Sequence, residues 1–202
     1  MDRHTRRAEG HGWTRGGLLR ALIGGGAIVA GAAAIGARNE SGASQSKDSD
    51  VEILNFFLLL EYAQESLYRE AVETGRLTGD LLEYATTVGE QESKHVAFLT
   101  DRLGSRARSR PSMSFQDRLS TPDRFRDAAI DLEEAALAGY IGQGANLTTD
   151  AITSVATLVS VEARQVAWLR DLAGVSPAPR AADPALKAER VVERLREGGY
   201  VE

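Results

Sequence analysis

The 202-residue sequence contains no cysteine, and its only histidines are His4, His11 and His95. Without cysteine the chain has no disulfide framework, no thiolate zinc site, no cysteine-ligated iron–sulfur cluster and no cysteine nucleophile. The small number of histidines nearly excludes a metal site built from several imidazoles. The formal net charge of −5 argues against a surface that binds nucleic acid. Any site chemistry must therefore come mainly from oxygen-bearing side chains.

The first 37 residues differ in composition from the rest of the chain. Five arginines against two acidic residues give this segment a charge of +3, so the remainder carries −8. The arginines precede an uncharged run rich in Gly and Ala, 21–37. A basic segment followed by a short apolar run is typical of an export signal, and the run approaches the length that spans a bilayer. Residues 1–37 are therefore expected to be an export signal or an N-terminal anchor. The alternative, a disordered cytosolic arm, does not account for the apolar run.

Two arginine patterns bear on the export route. Arg6-Arg7 is a twin arginine, but the apolar run begins well after it, and 14–20 (TRGGLLR) resembles the twin-arginine signal more closely, with Gly16 in place of the second arginine. Twin-arginine export, general secretion and an uncleaved anchor remain open.

Residues 38–50 are polar and small, which predicts a flexible linker. The folded part is expected to be extracytoplasmic, with the export machinery or the membrane as the partner of residues 1–37.

Beyond residue 50, apolar residues recur with the spacing of amphipathic helices, and no strand pattern appears. We expect Asp80 to cap the second helix, Gly104 to end it, and Thr121-Pro122 to begin the third. The predicted helices span about 50–73, 80–103, 121–142, 149–174 and, as a short amphipathic helix, 183–198. Two hairpins joined by the long connection 105–120 predict an all-α four-helix bundle with one crossover over 51–174, followed by a C-terminal extension, 175–202, with a short helix.

The two predicted hairpins resemble each other. Leu60-Glu61 lies seven residues before Tyr68, and Leu132-Glu133 lies seven residues before Tyr140, an offset of 72. Segment 161–167 resembles segment 91–97 at an offset of 70. The halves of the bundle are therefore interpreted as copies of one helical hairpin.

Each of the four helices places one carboxylate within its apolar stripe. Burying an unpaired carboxylate costs several kcal/mol, and four that converge would take up protons or a cation. His95 follows Glu92 by three residues, so both project from one helix face and can share an ion. Carboxylates and imidazole are ligands of divalent and trivalent metals, which favours a metal site. The alternative is a metal-free bundle in which protons, arginines and tyrosine hydroxyls satisfy the polar core. The four carboxylates belong to Glu61, Glu92, Glu133 and Glu162.

With these residues in hand, the chain resembles the ferritin-like domain family, most closely its exported bacterial members related to desiccation-associated proteins. The resemblance lies in 55–62 (NFFLLLEY), 92–95 (ESKH) and 132–140, and extends over about 51–174. The family pattern of Glu, Glu-x-x-His, Glu, Glu-x-x-His holds two iron or manganese ions. The resemblance implies a first ion at Glu61, Glu92 and His95 and a second at Glu133 and Glu162, with Glu92 and Glu162 able to bridge.

The sequence departs from the family pattern at Gln165, which stands where the second histidine is expected. An amide oxygen ligates iron more weakly than imidazole does, so the site is expected to hold one or two ions. The resemblance implies an extracytoplasmic protein that binds iron or manganese, with oxygen or peroxide as further partners if it has oxidase or peroxide-removing activity. The alternative is a non-catalytic envelope stress or scaffold bundle with a degenerate metal site. Whether the protein is an enzyme stays open at this point.

Overall fold

The computed structural model describes residues 46–201, so the expected export signal at 1–37 lies outside the described residues. Within this range the chain forms five α-helices and no β-strand, and its only β-bridge is an isolated one between Met113 and Val201. None of these helices is both long and apolar enough to cross a membrane. The helices are α1 Lys47–Glu73, α2 Gly79–Leu103, α3 Pro122–Gly144, α4 Thr149–Leu172 and α5 Ala188–Glu197.

The first four helices form the predicted bundle of two hairpins. Helix α1 packs along α2 and α3 packs along α4, while α1 also contacts α3 and α2 contacts α4. The long connection between the hairpins carries two 3₁₀ turns, Gly104–Arg106 and Gln116–Leu119. The prediction of an all-α bundle with one crossover and a short C-terminal helix is confirmed.

Helix α1 begins earlier than the sequence pattern predicts. It starts at Lys47, within the segment expected to be a linker. The Ser46 side chain accepts a hydrogen bond from the amide of Ser49 and caps the helix. The Asp50 carboxylate accepts hydrogen bonds from the Thr148 amide at 2.9 Å and from its hydroxyl at 2.6 Å. The linker prediction was therefore wrong for 47–49, where capping and this tie to the start of α4 extend the helix, and residues 38–45 of the predicted linker lie outside the described residues.

Local signals set most of the other helix ends. Thr121 caps α3 and Pro122 opens it, and Gly104 ends α2 with a φ of +57°, as predicted. Asp80 is not the cap of α2, because Thr78 takes that position and the helix starts at Gly79. Asp80 lies instead in the first turn, where its charge is favourable to the helix dipole.

The crossover is held against α1 by polar contacts. The Asn55 side chain donates to the Arg106 carbonyl at 3.0 Å and accepts from the Arg108 amide at 2.8 Å. The Arg108 guanidinium donates to Glu52 at 2.6 Å. These bonds satisfy backbone groups of the loop and fix the loop beside the bundle.

The C-terminal extension lies on the outside of α3. The Leu186 amide donates to the Ala138 carbonyl at 2.9 Å, and the α5 side chains Val191 and Leu195 are buried. This close approach needs a glycine at position 142, because a Cβ there would lie 1.9 Å from the Leu186 carbonyl oxygen. The extension is thus an integral part of the folded domain.

Candidate metal centre

One carboxylate from each bundle helix reaches the middle of the core, as the apolar stripes predict. The four are Glu61 on α1, Glu92 on α2, Glu133 on α3 and Glu162 on α4, and each is 0% exposed. Such burial is rare for glutamate without a partner for its charge. The bundle therefore has a polar centre surrounded by apolar side chains.

His95 is the meeting point of three of these carboxylates. Its Nδ1 atom lies 3.2 Å from an oxygen of Glu61, of Glu92 and of Glu162. One ring nitrogen carries at most one proton, so it cannot fully satisfy three carboxylate oxygens at the same distance. The structure therefore places on three helices a set of ligand atoms that converge on one point.

The dimensions of this four-residue cluster suit one ion. Its ligand atoms, one from each residue, all lie within 4.8 Å of one another. Ligands at opposite sides of a divalent ion are separated by about 4–5 Å, since each bond is roughly 2.0–2.5 Å long. Three carboxylates and one imidazole form a donor set suited to iron or manganese. We call Glu61, Glu92, His95 and Glu162 the His95 cluster.

The other two expected ligands, Glu133 and Gln165, lie beside the His95 cluster but outside it. Glu133 accepts hydrogen bonds from the hydroxyl of Tyr68 and from the side-chain amide of Gln64, the latter at 3.1 Å. Gln165 donates through its side-chain nitrogen to Glu92 at 2.7 Å. The structure therefore brings four of the six expected ligands together around His95 and gives the remaining two hydrogen-bonded partners.

Two tyrosines orient carboxylates across the interface between the hairpins. The Tyr140 hydroxyl on α3 donates to Glu61 on α1, and the Tyr68 hydroxyl on α1 donates to Glu133 on α3. The Tyr62 hydroxyl, by contrast, donates to the Arg108 carbonyl in the crossover at 3.3 Å. The site therefore has one tyrosine support in each half.

Burial and mutual repulsion favour the protonated forms of the core carboxylates. Burial, and then the charges of Glu162 and Glu61, raise the pKa of Glu92 well above its ordinary value. Burial and the charge of Glu162 do the same to the pKa of Glu133. Burial and Glu61 raise the pKa of Glu162 to about 7. A bound metal would act against these shifts, because its charge favours the ionised carboxylates.

The same carboxylates favour the charged form of His95. Burial alone lowers the pKa of its imidazole, but the nearby carboxylates of Glu162, Glu61 and Glu92 outweigh burial and raise the pKa to about 12. In the absence of metal, the imidazolium is therefore the cation among the carboxylates. A metal bound at Nδ1 would take over this role, which requires that the proton leave.

Unpartnered polar atoms provide a test of whether the centre fits a metal. Three fully buried oxygens, one each from Gln64, Glu162 and Gln165, have no hydrogen-bond partner. The Glu162 oxygen is the one that lies 3.2 Å from His95 Nδ1, where the geometry is not that of a hydrogen bond. A buried acceptor without a donor is costly, and a cation at the His95 cluster would satisfy the Glu162 oxygen. The residues around His95 therefore fit one ion.

Gln64 is the residue at this centre that the sequence pattern did not single out. A spacing of four from Glu61 leads to Glu65, but Glu65 is only partly buried and pairs with Arg110. Gln64 is 0% exposed and stands three residues after Glu61, a spacing that fits a helix face as well as four. The sequence does contain this pattern. Residues at i, i+3 and i+7 lie on one helix face just as residues at i, i+4 and i+7 do, so Gln64 fits the buried face of α1 between Glu61 and Tyr68.

Comparison with known proteins bears on the same region of the chain. A family model described as a ferritin-like domain matches residues 49–175, which is more than half of the chain. A search of curated proteins finds no match. The matched residues contain the four-helix bundle except for the first two residues of α1, and they include every member of the His95 cluster.

Proposed function

Because this chain belongs to the ferritin-like domain family, we propose that its bundle core binds an iron or manganese ion as the basis of its function. The observation that carries the proposal is the convergence of three buried carboxylate oxygens on His95 Nδ1 at 3.2 Å. Uncompensated, this arrangement would be unfavourable, so its presence in the core is best explained by a cation.

The residues of the His95 cluster have separate roles in this proposal. Glu61, Glu92 and Glu162 would neutralise the ion, and His95 would supply the one nitrogen ligand. The Tyr140 hydroxyl holds one oxygen of Glu61 and leaves the other facing His95. Burial of the cluster excludes bulk water and strengthens these interactions. A bound iron or manganese ion supplies one-electron redox chemistry toward oxygen or peroxide.

Metal analysis of matched variants tests the binding. The purified protein is dialysed against Mn²⁺, or against Fe²⁺ without oxygen, and its bound metal is measured by mass spectrometry. Glu92→Gln and His95→Ala should lower the affinity for the metal at least about tenfold. Even the loss of a residue that only hydrogen-bonds to a metal ligand lowers metal affinity by about that factor. Glu90→Gln removes the same charge from an exposed position on α2 and should bind like the wild type. Equal metal contents in the wild type and in His95→Ala would contradict the proposal.

Enzymatic activity is the finer part of the proposal. We propose that the Fe²⁺-loaded protein consumes oxygen or peroxide, which an oxygen electrode and a peroxide assay measure directly. The Glu92→Gln variant serves as the control for iron that oxidises in solution. If both proteins consume the oxidant at the same rate per iron, the chain binds metal without catalysing its oxidation.

A non-catalytic bundle is the second candidate, and the two core glutamines favour it. Gln64 and Gln165 donate hydrogen bonds to core carboxylates and so satisfy part of the centre without metal. An envelope scaffold or stress protein with a degenerate site would show no metal retention and no thermal stabilisation by Mn²⁺ or Fe²⁺. The same dialysis experiment therefore distinguishes the two candidates.

We also propose that the bundle acts outside the cytoplasm, which rests on the basic and apolar pattern of residues 1–37. Fusion of residues 1–45 to a reporter that is active only after export tests this location. Replacement of Arg6-Arg7, or separately of Arg15, should block export if the twin-arginine route is used. Unchanged export of both variants would favour general secretion.

A further inference from the structure

Among the polar side chains that contact the core carboxylates, those at two positions break the repeat that relates the hairpins. His95 in the first half corresponds to Gln165 in the second, at the offset of 70. Gln64 in the first half corresponds to Ala136 in the second, at the offset of 72. The remaining members of the centre, four glutamates and two tyrosines, are the same in both halves.

Gln64 on the first hairpin contacts two carboxylates of the second hairpin. Its side-chain nitrogen donates to Glu133 at 3.1 Å and to Glu162 at 2.9 Å, so one NH₂ group joins carboxylates from α3 and α4. An amide nitrogen has two protons and no lone pair available for a metal. It can therefore satisfy two carboxylates as a cation would, but it cannot ligate one.

Gln165 has a similar position on the opposite side of Glu92. Its side-chain nitrogen donates to Glu92 at 2.7 Å and to the Gln91 side chain at 3.0 Å. This uses both amide protons and directs the nitrogen, which is not a ligand, toward the carboxylate. The position of the missing imidazole is thus filled by a hydrogen-bond donor.

The two carboxylates able to bridge two ions are divided between the two halves of the centre. Glu92 directs one oxygen to His95 and receives the Gln165 amide on the other. Glu162 likewise has one oxygen beside His95 and receives the Gln64 amide on the other. Each carboxylate therefore offers one oxygen to the His95 cluster and has its second oxygen occupied.

The repeat supplies no counterpart of the Gln64 amide for Glu61 and Glu92. The repeat places Ala136 opposite Glu61 and Glu92, where Gln64 stands opposite Glu133 and Glu162. An alanine side chain ends at Cβ and donates no hydrogen bond to either carboxylate. The repeat therefore predicts space for a cation on the His95 side only.

We propose that this chain binds a single metal ion at the His95 cluster, and that the side-chain amides of Gln64 and Gln165 take the place of the second ion. This inference rests on the proposed metal-binding function. The amides act as neutral donors that satisfy Glu133 and the outer oxygens of Glu92 and Glu162. Positive charge is thereby needed in only one half of the centre.

The number of bound ions tests this inference independently of activity. Equilibrium dialysis of the wild type against Mn²⁺, and against Fe²⁺ without oxygen, should give one ion per chain. Gln165→His restores the imidazole but leaves the Gln64 amide, and should also give one. The double variant Gln64→Ala with Gln165→His removes both amides and should give two ions per chain.

The outcomes separate this inference from the proposed function. Two ions in the wild type would overturn the single-ion inference and leave metal binding intact, whereas no ion would contradict metal binding itself. A folded double variant that still binds one ion would show that the amides do not exclude the second ion. The wild-type and Gln165→His measurements keep the inference falsifiable if the double variant does not fold, which circular dichroism reveals.

Discussion

Replacing Tyr140 or Tyr68 by phenylalanine removes one buried hydroxyl from each half of the centre and tests the assignment of the metal to one half. Both tyrosines are almost fully buried, and each donates to a carboxylate of the other hairpin. Tyr140 holds Glu61, a member of the His95 cluster, whereas Tyr68 holds Glu133, which lies outside it. The two substitutions are thus matched in residue type and burial but differ in the carboxylate they release, and the Tyr68 hydroxyl also contacts the Tyr84 hydroxyl at 3.3 Å.

The magnitude follows from the kind of bond that is lost. A hydrogen bond to a charged group contributes about 1.5–3 kcal/mol, and loss of a partner that orients a ligand lowers metal affinity about 10–100-fold. We therefore expect Tyr140→Phe to weaken Mn²⁺ binding about 10–100-fold. Tyr68→Phe should weaken Mn²⁺ binding less than Tyr140→Phe does, because the carboxylate that it releases, Glu133, is not a member of the His95 cluster.

Competition between the protein and a chelator of known Mn²⁺ affinity measures both values. Thermal unfolding of the metal-free proteins provides the control, because both variants lose one buried hydroxyl and should be destabilised to a similar extent. Equal loss of Mn²⁺ affinity in the two variants would refute the assignment of the ion to the half that contains His95. A larger loss in Tyr68→Phe would place the ion at Glu133.

Two further predictions concern stability. Gly142→Ala should destabilise the protein by about 1–3 kcal/mol, since displacing Leu186 and its hydrogen bond outweighs the roughly 1 kcal/mol gained in helix propensity. Gly144→Ala should not destabilise the protein, because a Cβ at this position would have no neighbour closer than 3.9 Å. Urea unfolding measures the free energy of unfolding of both variants. Unfolding of the metal-free protein should become easier as the pH rises from 5 to 8. Folding raises the pKa of Glu162 from 4.5 to about 7 and that of His95 from 6.5 to about 12, so the folded state binds more protons in this range. The melting temperature measured in chelator should therefore fall as the pH rises, and the increase in melting temperature caused by Mn²⁺ should grow. A melting temperature in chelator that rises with pH would contradict these pKa shifts.

The sequence predicts the bundle and the central carboxylates because both depend on one helical period. Glu92 and His95 stand in an otherwise apolar stripe, so their burial follows from the periodicity that predicts the helix. Gln64 was missed because spacings of three and four are equivalent on a helix face, and only the packing of α1 distinguishes it from Glu65. The docking of Leu186 depends on contact between backbones that are distant in the sequence, for which no local pattern exists.

The duplicated hairpins within one chain have a consequence for how such a centre can change. If two identical hairpins associated as a homodimer, any substitution would appear twice, and the loss of one histidine would remove both. Covalent fusion separates the two copies, so His95 can stay while its counterpart becomes Gln165. The reciprocal Tyr68 and Tyr140 bonds still require both copies for a complete core. Fusion thus permits each half to specialise while neither can be dispensed with.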